Sequence, residues 1–220
     1  MKFAASLLSL LLASVIACAS PIPTTPSVVT AAQNSVYHTH QETVVGGSMC
    51  SATAIGPHTL LTASHCEQAS NKLDIEGIEG PATIVKIIRD DNDHTIYYLS
   101  GVQFPTYSTV DLAHELAVGE DVFQFGFPGK WAKLYRRGYY MGNPEHGDAS
   151  KIEPVISLFD FSVWHGDSGS GVFDSEGNLI AVVSLIEVQS HDGEDTAGIK
   201  ATGCLHILFT QSDIDQARAF

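Results

Sequence analysis

The chain predicts an all-β fold, a sandwich or a barrel, on three observations. Its apolar residues fall in runs of strand length, at 44–45, 51–55, 59–62, 83–88, 95–99, 122–127, 155–161, 171–173 and 179–185. Gly, Pro, Asn and Asp punctuate the gaps, as turns require. Helical patterning is confined to 111–117 and 212–219, the second with Ser212 placed to cap it, so strands and helices do not alternate as a parallel sheet would need.

Taken in order, the elements begin behind a processed leader. Lys2, the apolar stretch 7–16 and the small residues Ala17-Cys18-Ala19 read as a secretory signal peptide over 1–19. Val15-Ile16-Ala17-Cys18 also fits a lipoprotein cleavage box that would leave Cys18 lipidated, a reading that ranks second. Residues 20–40 are rich in Pro, Ser and Thr, lack apolar periodicity, and are expected to form a tail or propeptide. Further on, Asp174-Ser175-Glu176-Gly177-Asn178 joins two apolar runs as a hairpin turn.

With 220 residues, 44% apolar and 16% charged, the chain is ordinary globular material with enough apolar content for a core. Only 11 Lys and Arg stand against 25 Asp and Glu, a formal charge of -14, which argues against nucleic acid or an anionic membrane as partner. No run after the leader approaches the ~20 apolar residues of a membrane span, so no membrane association is expected once the leader is removed. The sequence gives no basis for an oligomeric state. Removing the leader leaves Cys50, Cys66 and Cys204, most simply one pair and one leftover in an oxidising compartment.

Three clusters carry chemistry. In Leu61-Thr62-Ala63-Ser64-His65-Cys66 an imidazole follows directly on a strand-like run. In Asp91-Asn92-Asp93-His94-Thr95 a carboxylate precedes another strand. In Trp164-His165-Gly166-Asp167-Ser168-Gly169-Ser170-Gly171 glycines flank a serine, so the backbone can turn sharply, expose the Ser168 hydroxyl and converge the Gly166 and Ser168 amides on one point. An α/β-hydrolase would also use Ser168, followed by Asp192 or Asp195 and His206, but position 170 is serine rather than glycine and no αβ alternation surrounds it. His38 and His40 form an isolated H-x-H pair, which suits a surface tail better than a metal site; no metal or organic cofactor is expected.

In the order His65, Asp93, Ser168, these clusters resemble the chymotrypsin/trypsin-like serine proteases over roughly residues 44–208, closest to the compact bacterial and glutamyl-endopeptidase branch. Thr62-Ala63-Ser64-His65-Cys66 is a near copy of that family's His motif, and Gly166-Asp167-Ser168-Gly169 is identical to its Ser motif. The resemblance implies two antiparallel β-barrels, at 41–110 and 111–220, with the site between them and a short C-terminal helix. It implies a Cys50 to Cys66 disulfide, leaving Cys204 as a buried free thiol or, ranked second, an intermolecular cross-link. It implies a secreted endopeptidase acting on polypeptides, with Ser168 as nucleophile, His65 as base, Asp93 as its orienting carboxylate and the Gly166 and Ser168 amides as oxyanion hole. The alternative is a catalytically silent homologue serving as a secreted binding protein.

The same comparison places Ser162, His165, Ser184, Leu185 and Ile186 in the substrate pocket, with Ser184 also supporting Asp93. Ser162 stands where trypsins carry an Asp, Val183 where glutamyl endopeptidases carry a His, and Ile186 where many relatives have Gly. A small or medium uncharged residue is therefore expected at the cleaved bond. Trp164 replaces a disulfide cysteine. Val44-Val45-Gly46-Gly47 matches the family's freed N-terminus, but only five residues separate Val44 from Cys50 and the match is read as coincidence, which leaves the partner of Asp167 open.

Overall fold

The computed structural model describes residues 26–43, 46–130, 132–143, 156–188 and 200–220. Residues 1–25, with the expected signal peptide over 1–19, Val44-Val45, Trp131, and residues 144–155 and 189–199 lie outside them. The first barrel comprises β1 (Val36–Thr43), β2 (Gly46–Gly56), β3 (Thr59–Ala63), β4 (Lys72–Ile75), β5 (Ala82–Arg89) and β6 (His94–Ser100). The second comprises β7 (Asp121–Gly126), β8 (Leu134–Gly142), β9 (Ile156–Phe159), β10 (Gly171–Phe173), β11 (Leu179–Val188) and β12 (Lys200–Leu205). Each closes on itself, in the orders β1-β2-β3-β6-β5-β4 and β10-β11-β12-β9-β8-β7, with every ladder antiparallel. Closure removes the exposed sheet edges that would otherwise recruit other chains.

The period of two along each strand sorts the core. On β6, Tyr97 and Leu99 point into the first barrel beside Leu60, Leu73 and Phe104. The alternate residues Ile96 and Tyr98 face outward against Phe123, Phe125 and Phe173 of the second barrel. A third cluster, of Val122, Phe159, Val172, Val183 and Cys204, fills the second barrel. Both faces of the central strands β3 and β6 are therefore buried, and a continuous apolar cluster fills the junction between the barrels.

Two expectations are corrected. Residues 26–40 are not a tail: α1 (Pro26–Ser35) starts on a proline, which suits the first helical position, and β1 follows it directly. Ala32 and Ser35 are buried, Val28 and Val29 pack on the inter-barrel cluster, and Ser35 Oγ lies 2.7 Å from Ser108 Oγ. His38 and His40 thus sit on a barrel strand, His38 Nδ1 being 3.1 Å from Glu76 Oε2 with its ring stacked on Phe127. Nor is 111–117 a helix. Asp111 Oδ1 accepts the Ala113 amide at 3.0 Å and Glu120 Oε2 the Ala117 amide at 3.0 Å, side-chain turns that compete with helical bonding. The C-terminal helix α2 (Gln211–Ala219) is present, but Thr210 caps it in a reciprocal box with Asp213, rather than Ser212.

Candidate active site

Strand β3 ends in a single tight turn, Ser64–Cys66, that carries His65. A Cys50–Cys66 disulfide fastens this turn to β2. Cys204 is free and buried, and burial pushes its thiol pKa up, so it behaves as a small apolar residue. Asp93, one residue before β6, holds His65 at two points: its Oδ2 lies 2.8 Å from His65 Nδ1 and its Oδ1 accepts the His65 amide at 2.9 Å. The Ser64 amide donates to the Asp93 carbonyl at 2.8 Å. The carboxylate thus fixes both the ring and the backbone that bears it, and leaves Nε2 as the free ring nitrogen.

Ser168 lies on the second barrel's loop between β9 and β10, pressed against the first barrel. Its carbonyl accepts the Ser51 amide of β2 at 2.8 Å. Gly169 has φ +83°, and a Cβ there would stand 2.1 Å from both Ser51 O and Thr62 Oγ1, so no side chain fits. Gly166 has φ +101°, and a Cβ there would meet Phe127 O at 2.4 Å. The two amides expected to face a substrate oxygen are held through the carbonyls of their own peptide groups. His165 O, in the peptide that carries Gly166 N–H, accepts Gly129 N–H at 2.7 Å; Asp167 O, in the peptide that carries Ser168 N–H, accepts Ser170 N–H at 2.9 Å. Among the described residues neither Gly166 N–H nor Ser168 N–H has an acceptor, so both are open to an incoming anion. No hydrogen bond joins Ser168 Oγ to His65 Nε2; catalytic bonds of this kind are commonly long until substrate binds.

The partner of Asp167 is Arg136 on β8. The carboxylate is fully buried, and Arg136 grips it in a fork, with Nη2 at 3.0 Å from Oδ2 and Nη1 at 3.2 Å from Oδ1. Oδ2 also accepts the Trp164 amide at 2.8 Å. Gln124 completes the network, accepting from Arg136 Nη1 at 2.8 Å and donating to Ser170 Oγ at 2.6 Å. Burial pushes the Asp167 carboxyl above the ordinary carboxylate range, and the Trp164 amide and Arg136 guanidinium pull it back only in part. An internal guanidinium therefore occupies the place that a freed N-terminal amine would take. The bond before Val44 lies between two strands paired as far as Thr43↔Gly46, so cutting there would sever the covalent link between β1 and β2.

The expected pocket residues are only partly gathered. Ser162 is exposed and lines a cleft of about 550 Å³ with Pro128, Gly129, Leu134, Arg136, Val163 and Trp164. His165 is exposed, edge-on to Trp164. Ser184 sits at a bulge in β11, and its Oγ lies 3.4 Å from Val182 O of its own strand rather than against Asp93, a correction to its expected support of that carboxylate. Leu185 and Ile186 pair with Gly203 and Thr202 of β12; their side chains lie outside the described residues. Sequence reasoning missed Ser51, whose Oγ donates to Gly166 O at 2.8 Å and accepts Phe127 N–H at 3.1 Å, and it missed Arg136. Two adjacent arginines in a chain with so few basic residues were the one available signal.

Two closed barrels with a His–Asp pair on one and a Gly-Asp-Ser-Gly loop on the other define the chymotrypsin-type architecture. Residues 50–182, more than half of the chain, match the trypsin-like peptidase domain, so the chain belongs to the trypsin-like peptidase family and is a serine endopeptidase hydrolase. No curated protein is a significant sequence match. Among solved structures, the active form of the Rv3671c protease from M. tuberculosis aligns at TM-score 0.65 and 20% identity, covering 90% of this chain and 86% of that one. Its inactive form aligns at 0.62 and 22%, covering 92% and 97%. The HtrA-type protease AlgW, solved with a tripeptide, aligns at 0.60 and 17%, covering 80% of this chain and 57% of that one. These likenesses are of fold.

Proposed function

We propose that this chain is a secreted endopeptidase that cleaves polypeptides through an acyl-enzyme formed on Ser168. His65 Nε2 takes the Ser168 proton as Oγ attacks the scissile carbonyl carbon. The Gly166 and Ser168 amides receive the negative charge that develops on the carbonyl oxygen, each donor being worth ~2.7 to 4 kcal/mol. Asp93 holds the ring with Nδ1 protonated and stabilises the imidazolium. That proton then passes to the departing amine, leaving an ester, and a water deprotonated by His65 hydrolyses the ester and restores Ser168.

The observation that carries this reading is the two-point grip of Asp93 on His65 beside two amides without acceptors. The apolar leader and the Cys50–Cys66 disulfide support secretion into an oxidising compartment. Ser162 in place of an acid supports a small or medium uncharged residue at the cleaved bond. The silent-homologue reading draws on one observation, the missing Ser168–His65 hydrogen bond. Hydrolysis of an unfolded protein substrate separates the two. The parent should cleave it, with Ser168→Ala and His65→Ala each at least about 10³-fold slower. A folded parent no faster than Ser168→Ala would leave the silent homologue as the function.

A further inference from the structure

A second His–Asp pair lies directly beneath the first. Asp90 and His94 bracket the turn that presents Asp93, and both side chains are buried, 3% and 0% exposed. The Asp90 carboxylate takes four donors. Oδ1 accepts the amides of Asn92 and His94, each at 2.9 Å. Oδ2 accepts His94 Nδ1–H at 2.8 Å and the Leu208 amide at 2.8 Å. Burial opposes the charge on Asp90, but His94 and the Leu208 and Asn92 amides outweigh it and hold the carboxyl below its ordinary range.

Two features make this more than a buried ion pair. Asp93 has φ +64°, and it is the sole non-glycine residue with positive φ among the described residues. A left-handed aspartate is strained, and the turn keeps that conformation only if its neighbours over-determine it. The Asp90 carboxylate, bonded on either side of Asp93, does so. The same turn also reaches the other barrel. Leu208 and His206 belong to the segment that leaves β12, and Asn92 Nδ2 donates to His206 O at 2.6 Å. The turn that carries Asp93 is therefore pinned to the barrel that carries Ser168.

We infer that Asp90 and His94 are positioning residues for Asp93, holding it in its left-handed conformation and in register with the second barrel. This rests on the reading of His65, Asp93 and Ser168 as a triad. Neither residue touches substrate; each acts through Asp93.

The test uses Asp90→Asn and, because that change also removes a charge, Asn92→Ala, which removes only the bond to His206. Three quantities are read on the mature chain: kcat and KM against pH, the unfolding midpoint, and the low-field proton signal of His65 Nδ1–H. Asp90→Asn should lower kcat by about tenfold to a hundredfold, the scale of a misplaced catalytic group. KM should be unchanged, the acid limb of kcat should move to lower pH, and the low-field signal should weaken. Asn92→Ala should move each readout the same way, by about threefold in kcat. A folded Asp90→Asn protein with the parent kcat and the parent low-field signal overturns the inference. If that variant does not fold, the same result from Asn92→Ala overturns it. Should the parent cleave nothing and take up no fluorophosphonate, the catalytic reading fails. The low-field signal, which needs only the His65–Asp93 bond, still decides the positioning.

Discussion

Replacing Arg136 by Met keeps most of the side chain's length and removes its charge, leaving Asp167 fully buried with only the neutral Trp164 and Gln124 amides as hydrogen-bond donors among the described residues. Breaking a buried pair in this way costs about 3–5 kcal/mol, mostly because a charge is stranded. Protonation caps the loss, since neutralising a carboxyl of ordinary pKa at pH 7 costs about 4 kcal/mol. The variant should therefore unfold in urea with about 3–4 kcal/mol less stability at pH 7. The sign of the pH dependence follows from burial, which already pushes the Asp167 carboxyl up. A raised carboxyl pKa penalises the folded state above the unfolded value and relieves it as pH falls. The gap between parent and variant should shrink as the pH drops from 7 towards 4. Reaction of Ser168 with an activated-serine reagent should fall with it, because Asp167 adjoins Ser168 and its carbonyl, which accepts the Ser170 amide, orients the Ser168 peptide. The double variant Arg136→Met with Asp167→Asn should recover stability over Arg136→Met. An Arg136→Met protein as stable and reactive as the parent at pH 7 would refute the assignment of Arg136 as the partner of Asp167.

Other predictions follow from the same geometry. Cys50→Ala with Cys66→Ala opens a sixteen-residue separation and should cost about 3 kcal/mol, read as a lower urea midpoint. Gly169→Ala places a Cβ 2.1 Å from Ser51 O at a positive φ, so soluble expression or Ser168 reactivity should be lost, whereas Gly77→Ala, with positive φ but nothing within 4 Å, should cost only the backbone strain of about 1–2 kcal/mol and keep Ser168 reactive. A chain that retains residues 36–43 should be active without any cut before Val44, whereas engineered cleavage there should lower the unfolding midpoint, because β1 pairs with β2 over its whole length.

The triad candidates were legible because each sits in a short contiguous motif whose chemistry is local. The central strands were legible for a different reason. All of β3 and nearly all of β6 are buried, so they read as apolar runs. Strand β8 escaped because most of its side chains are partly or fully exposed and two are arginines, and β4 because it offers only Leu73 and Ile75 to the core. The Pro, Ser and Thr content around α1 concealed a helix whose apolar face has meaning only against the cluster between the two barrels. The Asp167–Arg136 pair joins residues 31 apart across two strands and a loop, and the Asp90 network reaches 118 residues along the chain to Leu208. Those are tertiary facts, set by barrel closure, that no local pattern encodes. Ser184 went the other way: its position in β11 matched expectation, but a bulge turned its hydroxyl to its own strand.

The most direct test of the account is fluorophosphonate labelling of the purified protein beside its Ser168→Ala variant, with the adduct located by peptide mass mapping. The account predicts one adduct, on Ser168, absent from the variant. Labelling at another serine, or none on a folded parent, would contradict it.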